Sequence, residues 1–201
     1  MNETYKVQVQ DLVDDLKAVF THAGLGGEAG EYKLLTQSFL YKFLNDKFLY
    51  LAQVLDAGNT YENLLTMSEE DYDWLLEDIG TSTAWLKPDQ LIESLHRQQN
   101  EATFYEIFEN TLNQIAIDNN DIFSVHTDGD TAIRLFDERL ITDTISDSSK
   151  RNEVAKAIIN LLTRVKFDET IFSQGFDFFS TLFEYMIKDY NKDGGGKYAE
   201  Y

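Results

Sequence analysis

The run DYNKDGGGKYAEY, residues 189–201, carries the residue types that hold a hard cation. Asp189, Asn191, Asp193, Gly194 and Glu200 fall on D-x-[DN]-x-[DN]-G-x5-E, the loop in which side-chain oxygens surround Ca²⁺ and a glycine makes the sharp turn. Such loops also need an exit helix, and they pair through an apolar residue at the eighth position. Here one residue follows Glu200, Gly196 stands eighth, and the pattern occurs once. Asp, Asn and Gly are also what ends a helix and opens a loop. The pattern is therefore read as a decoy, with no metal site: a helical domain over 1–190 gives way to a glycine-containing linker over 191–201. The alternative is an acidic helical interaction protein with a calcium-binding tail.

Cations are the second chemical signal. Lys150, Arg151, Lys156, Arg164 and Lys166 stand together against Glu153 alone, a local charge of +4 in a chain whose formal charge is −19. The remaining −23 repels phosphate over most of the surface, which disfavours a free-standing nucleic-acid binder. The cluster is read as the contact to DNA or to a partner, with Lys150, Arg151 and a helix N-terminus meeting a phosphate or an acidic surface. The competing reading is a solvated helix face.

Other patterns lack their context. Gly24, Gly26 and Ala29 match a G-x-G-x-x-A dinucleotide fingerprint, yet a helix rather than a strand precedes them, and Glu28 and Glu31 stand where a pyrophosphate would sit. They read as an interhelical turn. His22, His96 and His126 are isolated, with no second histidine at i+4. Neither a nucleophile elbow nor a P-loop is present, and with no cysteine there is no thiolate chemistry and no disulfide. No catalytic residue is assigned.

The elements that must position these groups are helical. Val9, Leu12, Val13, Leu16, Val19 and Phe20 recur at helical intervals from Tyr5 to His22, and the GLGGEAG run breaks the helix. The stretch 31–55 is apolar on nearly every side, as expected of a helix buried on several faces. Ser68 and Asp71 form a capping box, and Pro88 suits the first position of a helix. A helix is expected over 102–117 and a small β-hairpin near 122–135. A helix follows with Val154, Ile158, Leu161, Leu162 and Val165 on one stripe. Another carries Phe176, Phe179, Leu182, Phe183, Met186 and Ile187. Tyr41, Phe43, Phe48 and Tyr50 have the spacing of core packing rather than of base-stacking platforms. The fold class is all-α. No apolar run is long enough to span a bilayer and no signal peptide opens the chain, so no membrane role and a cytoplasmic location are expected.

Two segments resemble a known family. EYKLLTQSFLYKFLNDKF, residues 31–48, resembles the N-terminal helical domain of the modification subunits of type I restriction enzymes, which are adenine-N6 DNA methyltransferases. The block from Phe39 to Phe48 is similar to the family's F-L-K-[YF]-[IL]-[SN]-D-x-F with one extra aromatic. FDFFSTLFEYMIKDYNKDGGGKYAEY is similar to the family's later helix and the tether that leads to its catalytic domain. LKAVFTHAGLGG stands where the family usually has L-W-x-x-A-D-x-L-R. The resemblance implies a non-catalytic assembly module that contacts the specificity subunit, a second modification subunit and the restriction subunit, and reaches DNA through the complex. It also implies that this fragment carries no cofactor. S-adenosylmethionine and the N-P-P-[YF] motif would belong to the methyltransferase domain of the parent protein.

Overall fold

The computed structural model describes residues 3–123 and 135–173. Helix α1 (Glu3–Ala23) is amphipathic and buries Val9, Leu12, Val13, Leu16 and Phe20 on one stripe. Helix α2 (Ala29–Leu55) differs: its buried residues, Leu34, Leu35, Phe39, Tyr41, Leu44 and Phe48 among them, point in all directions, so neighbours cover it on several sides. The turn between them needs glycine, because Gly24 and Gly27 hold φ of 99° and 74°. Glu31 Oε2 accepts from Gly27 N at 2.6 Å, so a carboxylate already takes the amide that a bound pyrophosphate would need.

Short helices follow, several of them started by a local cap. Thr60 accepts from Asn63 N at the start of α3 (Tyr61–Thr66). Ser68 Oγ accepts from Asp71 N at 3.1 Å and donates to Asp71 Oδ2 at 2.7 Å, opening α4 (Glu69–Ile79) as the capping pattern predicts. Pro88 begins a 3-10 turn over Pro88–Gln90, and α5 (Ile92–Gln98) comes after it. Then come α6 (Phe104–Asp118), α7 (Asn120–Phe123), α8 (Leu140–Thr144), α9 (Arg151–Leu162) and α10 (Glu169–Phe172). The described residues hold these ten helices, three 3-10 turns and no strand, an all-α architecture. The expected hairpin lies outside the described residues except at its edges, where Ile122 and Phe123 belong to α7 and Leu135 to a bend. The helix expected around Phe176 to Ile187 also lies outside them.

The core forms where α2 and α9 meet the rest. α9 packs against α1, α2, α5, α6 and α8, and α2 against α1, α4 and α8. Val154, Ile158, Leu161 and Leu162 are buried as the stripe requires, and Val165 is half-buried. Tyr41 meets the rings of Phe108 and Phe136 edge-on, at 6.3 and 6.4 Å, and its hydroxyl donates to Gln90 O at 2.6 Å. Burial, and then the charge of Asp89, raise its pKa well above the ordinary tyrosine value, so it stays a donor. Asn119 uses one amide to pair with both Trp85 N and Trp85 O, and so holds an extended segment against the end of α6.

The start of α2 passes close to the end of α8. A Cβ added at Gly30 would lie 2.7 Å from Thr144 Cγ2 on a stiff β-branched side chain. Gly30→Ala should lower the unfolding free energy by about 1–3 kcal/mol. Adding Thr144→Ser, which removes the opposing methyl, should restore most of it, as read from denaturant midpoints of the two variants.

Candidate functional site

The segment with the family-like pattern, residues 39–48, holds three buried polar side chains on α2: Lys42, Asn45 and Asp46. Spaced at i, i+3 and i+4, they share one side of the helix. Lys42 Nζ pairs with Asp46 Oδ2 at 2.8 Å and lies over the ring of Phe167, 5.8 Å from its centroid. Asn45 Nδ2 donates to Asp46 Oδ1 at 2.8 Å. Two backbone donors from far along the chain complete the cluster. Ile92 N, in the first turn of α5 and so without an intrahelical acceptor, donates to Asn45 Oδ1 at 2.9 Å. Phe167 N donates to Asp46 Oδ2 at 2.8 Å. The cluster therefore ties α2 to the start of α5 and to the α9–α10 connection.

Beside it runs a groove of about 440 Å³, lined by Lys42, Asp46 and Tyr50 on one wall and by Tyr61, Glu93 and Lys166 among the others. Its buried carboxylate and ammonium are engaged with each other and with backbone amides, so the chemistry of this cluster is cohesion. Burial lowers the pKa of Lys42 below 10.5 by more than Asp46 raises it, and the charge of Lys166 adds to the lowering.

The cations singled out in the sequence do not gather into one patch. Lys150 Nζ donates to His22 O at 3.4 Å, at the end of α1. Arg151 is turned inward: Nε donates to Ile145 O at 3.0 Å, Nη2 to Thr142 O at 3.2 Å, and the guanidinium lies 5.8 Å from the centre of the Tyr105 ring. Arg164 faces Asp15 across 3.8 Å, an exposed and weak pair. Lys156 is half-buried on α9, and Lys166 is exposed at the groove. Neither forms an ion pair among the described residues.

Arg151 has a counterpart in Glu109. The buried carboxylate of Glu109, on α6, accepts from Thr142 N and, at 2.8 Å, from Thr142 Oγ1. The five-residue α8 thus has an acid from α6 at its N-terminus and a base from α9 at its C-terminus, the arrangement that its dipole favours. The approach to α9 carries a carboxylate too. The 3-10 turn Ser148–Lys150 that leads into it is capped by Asp147, which accepts from Ser149 N at 3.0 Å and from Ser149 Oγ at 2.6 Å. Those bonds hold the pKa of Asp147 below the usual carboxylate value.

His22 is exposed, and His96 Nε2 meets Asn160 Oδ1 at 3.2 Å. Among the described residues no group of three or more His, Asp or Glu is placed to hold a metal. Asp189, Asn191, Asp193, Glu200 and His126 lie outside the described residues. No helix among the described residues is long and apolar enough to cross a membrane. Sequence reasoning assigned no role to Lys42, Asn45, Asp46 and Glu109. Polar residues at i, i+3 and i+4 within an otherwise apolar helix were the available signal for the first three. No protein-family model, curated protein or solved structure matches the chain.

Asp46→Ala, which leaves the Lys42 charge buried without its partner and Phe167 N–H without an acceptor, should cost about 3–5 kcal/mol in chemical denaturation. The lysine also sets a pH signature. The unfolded chain keeps that proton up to about 10.5 while the folded chain releases it earlier, so in that window the unfolded state binds more protons. The stability of the wild type relative to Lys42→Met should therefore rise as pH climbs toward 10.5. A difference that stays flat with pH would show that Lys42 is not depressed.

Proposed function

We propose that this chain is the non-catalytic N-terminal helical module of a type I modification subunit, an adenine-N6 DNA methyltransferase. One observation supports the reading above the rest. The block that resembles the family, Phe39 to Phe48, is the segment whose Lys42, Asn45 and Asp46 hold three parts of this fold together. A pattern that combines buried aromatics with fixed polar positions is what such a hub demands of any sequence that folds this way. The module acts by contact: it meets the specificity subunit or a second modification subunit and helps close the assembly around DNA. S-adenosylmethionine and the flipped adenine are the business of the methyltransferase domain.

The coding sequence beyond Tyr201 tests this directly. An N-P-P-[YF] motif in frame is the expected finding, and a different downstream domain overturns the reading. The complex offers a second test. Arg151 is committed to α8, so reversing its charge would disturb the fold along with any DNA contact. Lys156 and Lys166 are the better probes. In the assembled enzyme, Lys156→Glu with Lys166→Glu should weaken DNA binding and make the slope of log K against log salt shallower by about 0.9 for each phosphate that is no longer neutralised. The isolated chain should bind duplex DNA only weakly at any salt. An unchanged slope would remove these two lysines from the DNA path.

A further inference from the structure

Helix α4 is seated by one face only. Tyr72, Leu75 and Ile79 are buried, and the Tyr72 hydroxyl donates to Leu86 O at 2.5 Å. The opposite face is open, and at its centre Trp74 is 67 % exposed, more than any other large apolar side chain among the described residues. Glu70 and Asp71 lie one turn before it, and Glu77 and Asp78 one turn after; with Asp73 beside it, the indole sits within a ring of exposed carboxylates.

Helix stability does not account for this face. Acids in the first turn suit the dipole, but Glu77 and Asp78 occupy the last turn, where the dipole favours cations and where no basic residue stands. Asp73 and Glu77 repel each other at i, i+4. None of the six acids of α4 has an ion-pair partner among the described residues. A surface that breaks these local rules around an exposed tryptophan is organised for something other than its own helix.

We propose that this face docks an arginine-rich segment of a partner protein. The open indole offers its electron-rich face to one guanidinium, and the flanking carboxylates take the neighbouring cations. Tryptophan serves as the anchor residue, since an amphipathic ring concentrates binding energy over a small area. The surrounding negative field steers a basic segment toward it and repels nucleic acid and anionic lipid. The inference does not depend on the methyltransferase reading.

The test is a titration of the full chain with a fluorescently labelled, arginine-rich synthetic peptide at physiological salt, followed by anisotropy. Saturable binding is expected, about tenfold weaker for Trp74→Ala and partly restored in Trp74→Phe. Amide replacement of Glu70, Asp73, Glu77 and Asp78 should weaken binding and flatten its salt dependence. The same replacement at four exposed acids elsewhere, Asp11, Glu28, Glu101 and Glu153, should do far less. All these positions are exposed, so the variants should keep the wild-type circular dichroism. Three results would overturn the proposal: no binding, equal binding by Trp74→Ala, or equal weakening in both acid-neutralised variants, which would mean diffuse attraction to the net charge. Sedimentation showing that Trp74→Ala dissolves a dimer would assign the face to a second copy of the chain and overturn it as well.

Discussion

The ion pair between Lys42 and Asp46 is the constraint around which this helical arrangement is organised. Taking two charges out of water costs several kcal/mol per ion before their attraction offsets it, so such a pair is not explained by stability alone. Its value here is directional. An α-helix apolar on nearly every side can rotate or slide against its neighbours with little change in buried area, because apolar burial has no preferred direction. Lys42, Asn45 and Asp46 remove that freedom, since only one rotation of α2 brings Asp46 to Phe167 N and Asn45 to Ile92 N. One face of one helix thereby sets where α5 begins and where the chain leaves α9.

The same device recurs at smaller scale. Five residues are too few to sustain a helix unaided, yet α8 persists because Glu109 and Arg151 hold its two ends from neighbouring helices. Asn119 does similar work for the extended backbone at Trp85. In each case a side chain from a long helix satisfies backbone groups that a short or irregular segment cannot satisfy for itself. Short elements can then interrupt a helical domain without leaving polar groups stranded.

These commitments reshape the electrostatics. Of the five cations in the basic stretch, Arg151 is engaged inside the fold, Lys150 reaches a carbonyl of α1, and Arg164 faces Asp15. On α4, exposed acids surround an uncovered tryptophan. Burial takes Glu31, Asp46 and Glu109 from the acids and Lys42 from the bases, so the charge that faces solvent stays strongly negative. A surface of that sign repels phosphate over most of its area.

Much of the fold was legible in local patterns. The stripe of α1, the all-round apolarity of α2, the Ser68 cap, the glycine turn and the buried face of α9 each follow from spacing and residue type within a few positions, because helix periodicity and capping are short-range physics. The identity of a backbone amide's distant partner is not short-range: Asp46 and Phe167 are 121 positions apart, and Glu109 and Thr142 are 33 apart. No composition or period encodes those pairings. Residue order alone is enough to say which segments are helical, which faces seek cover, and that the molecule carries a large negative charge. It takes the packed helices to commit Arg151 to α8 and to leave Trp74 facing water, because the role of a charge or a ring depends on which neighbour is brought to it.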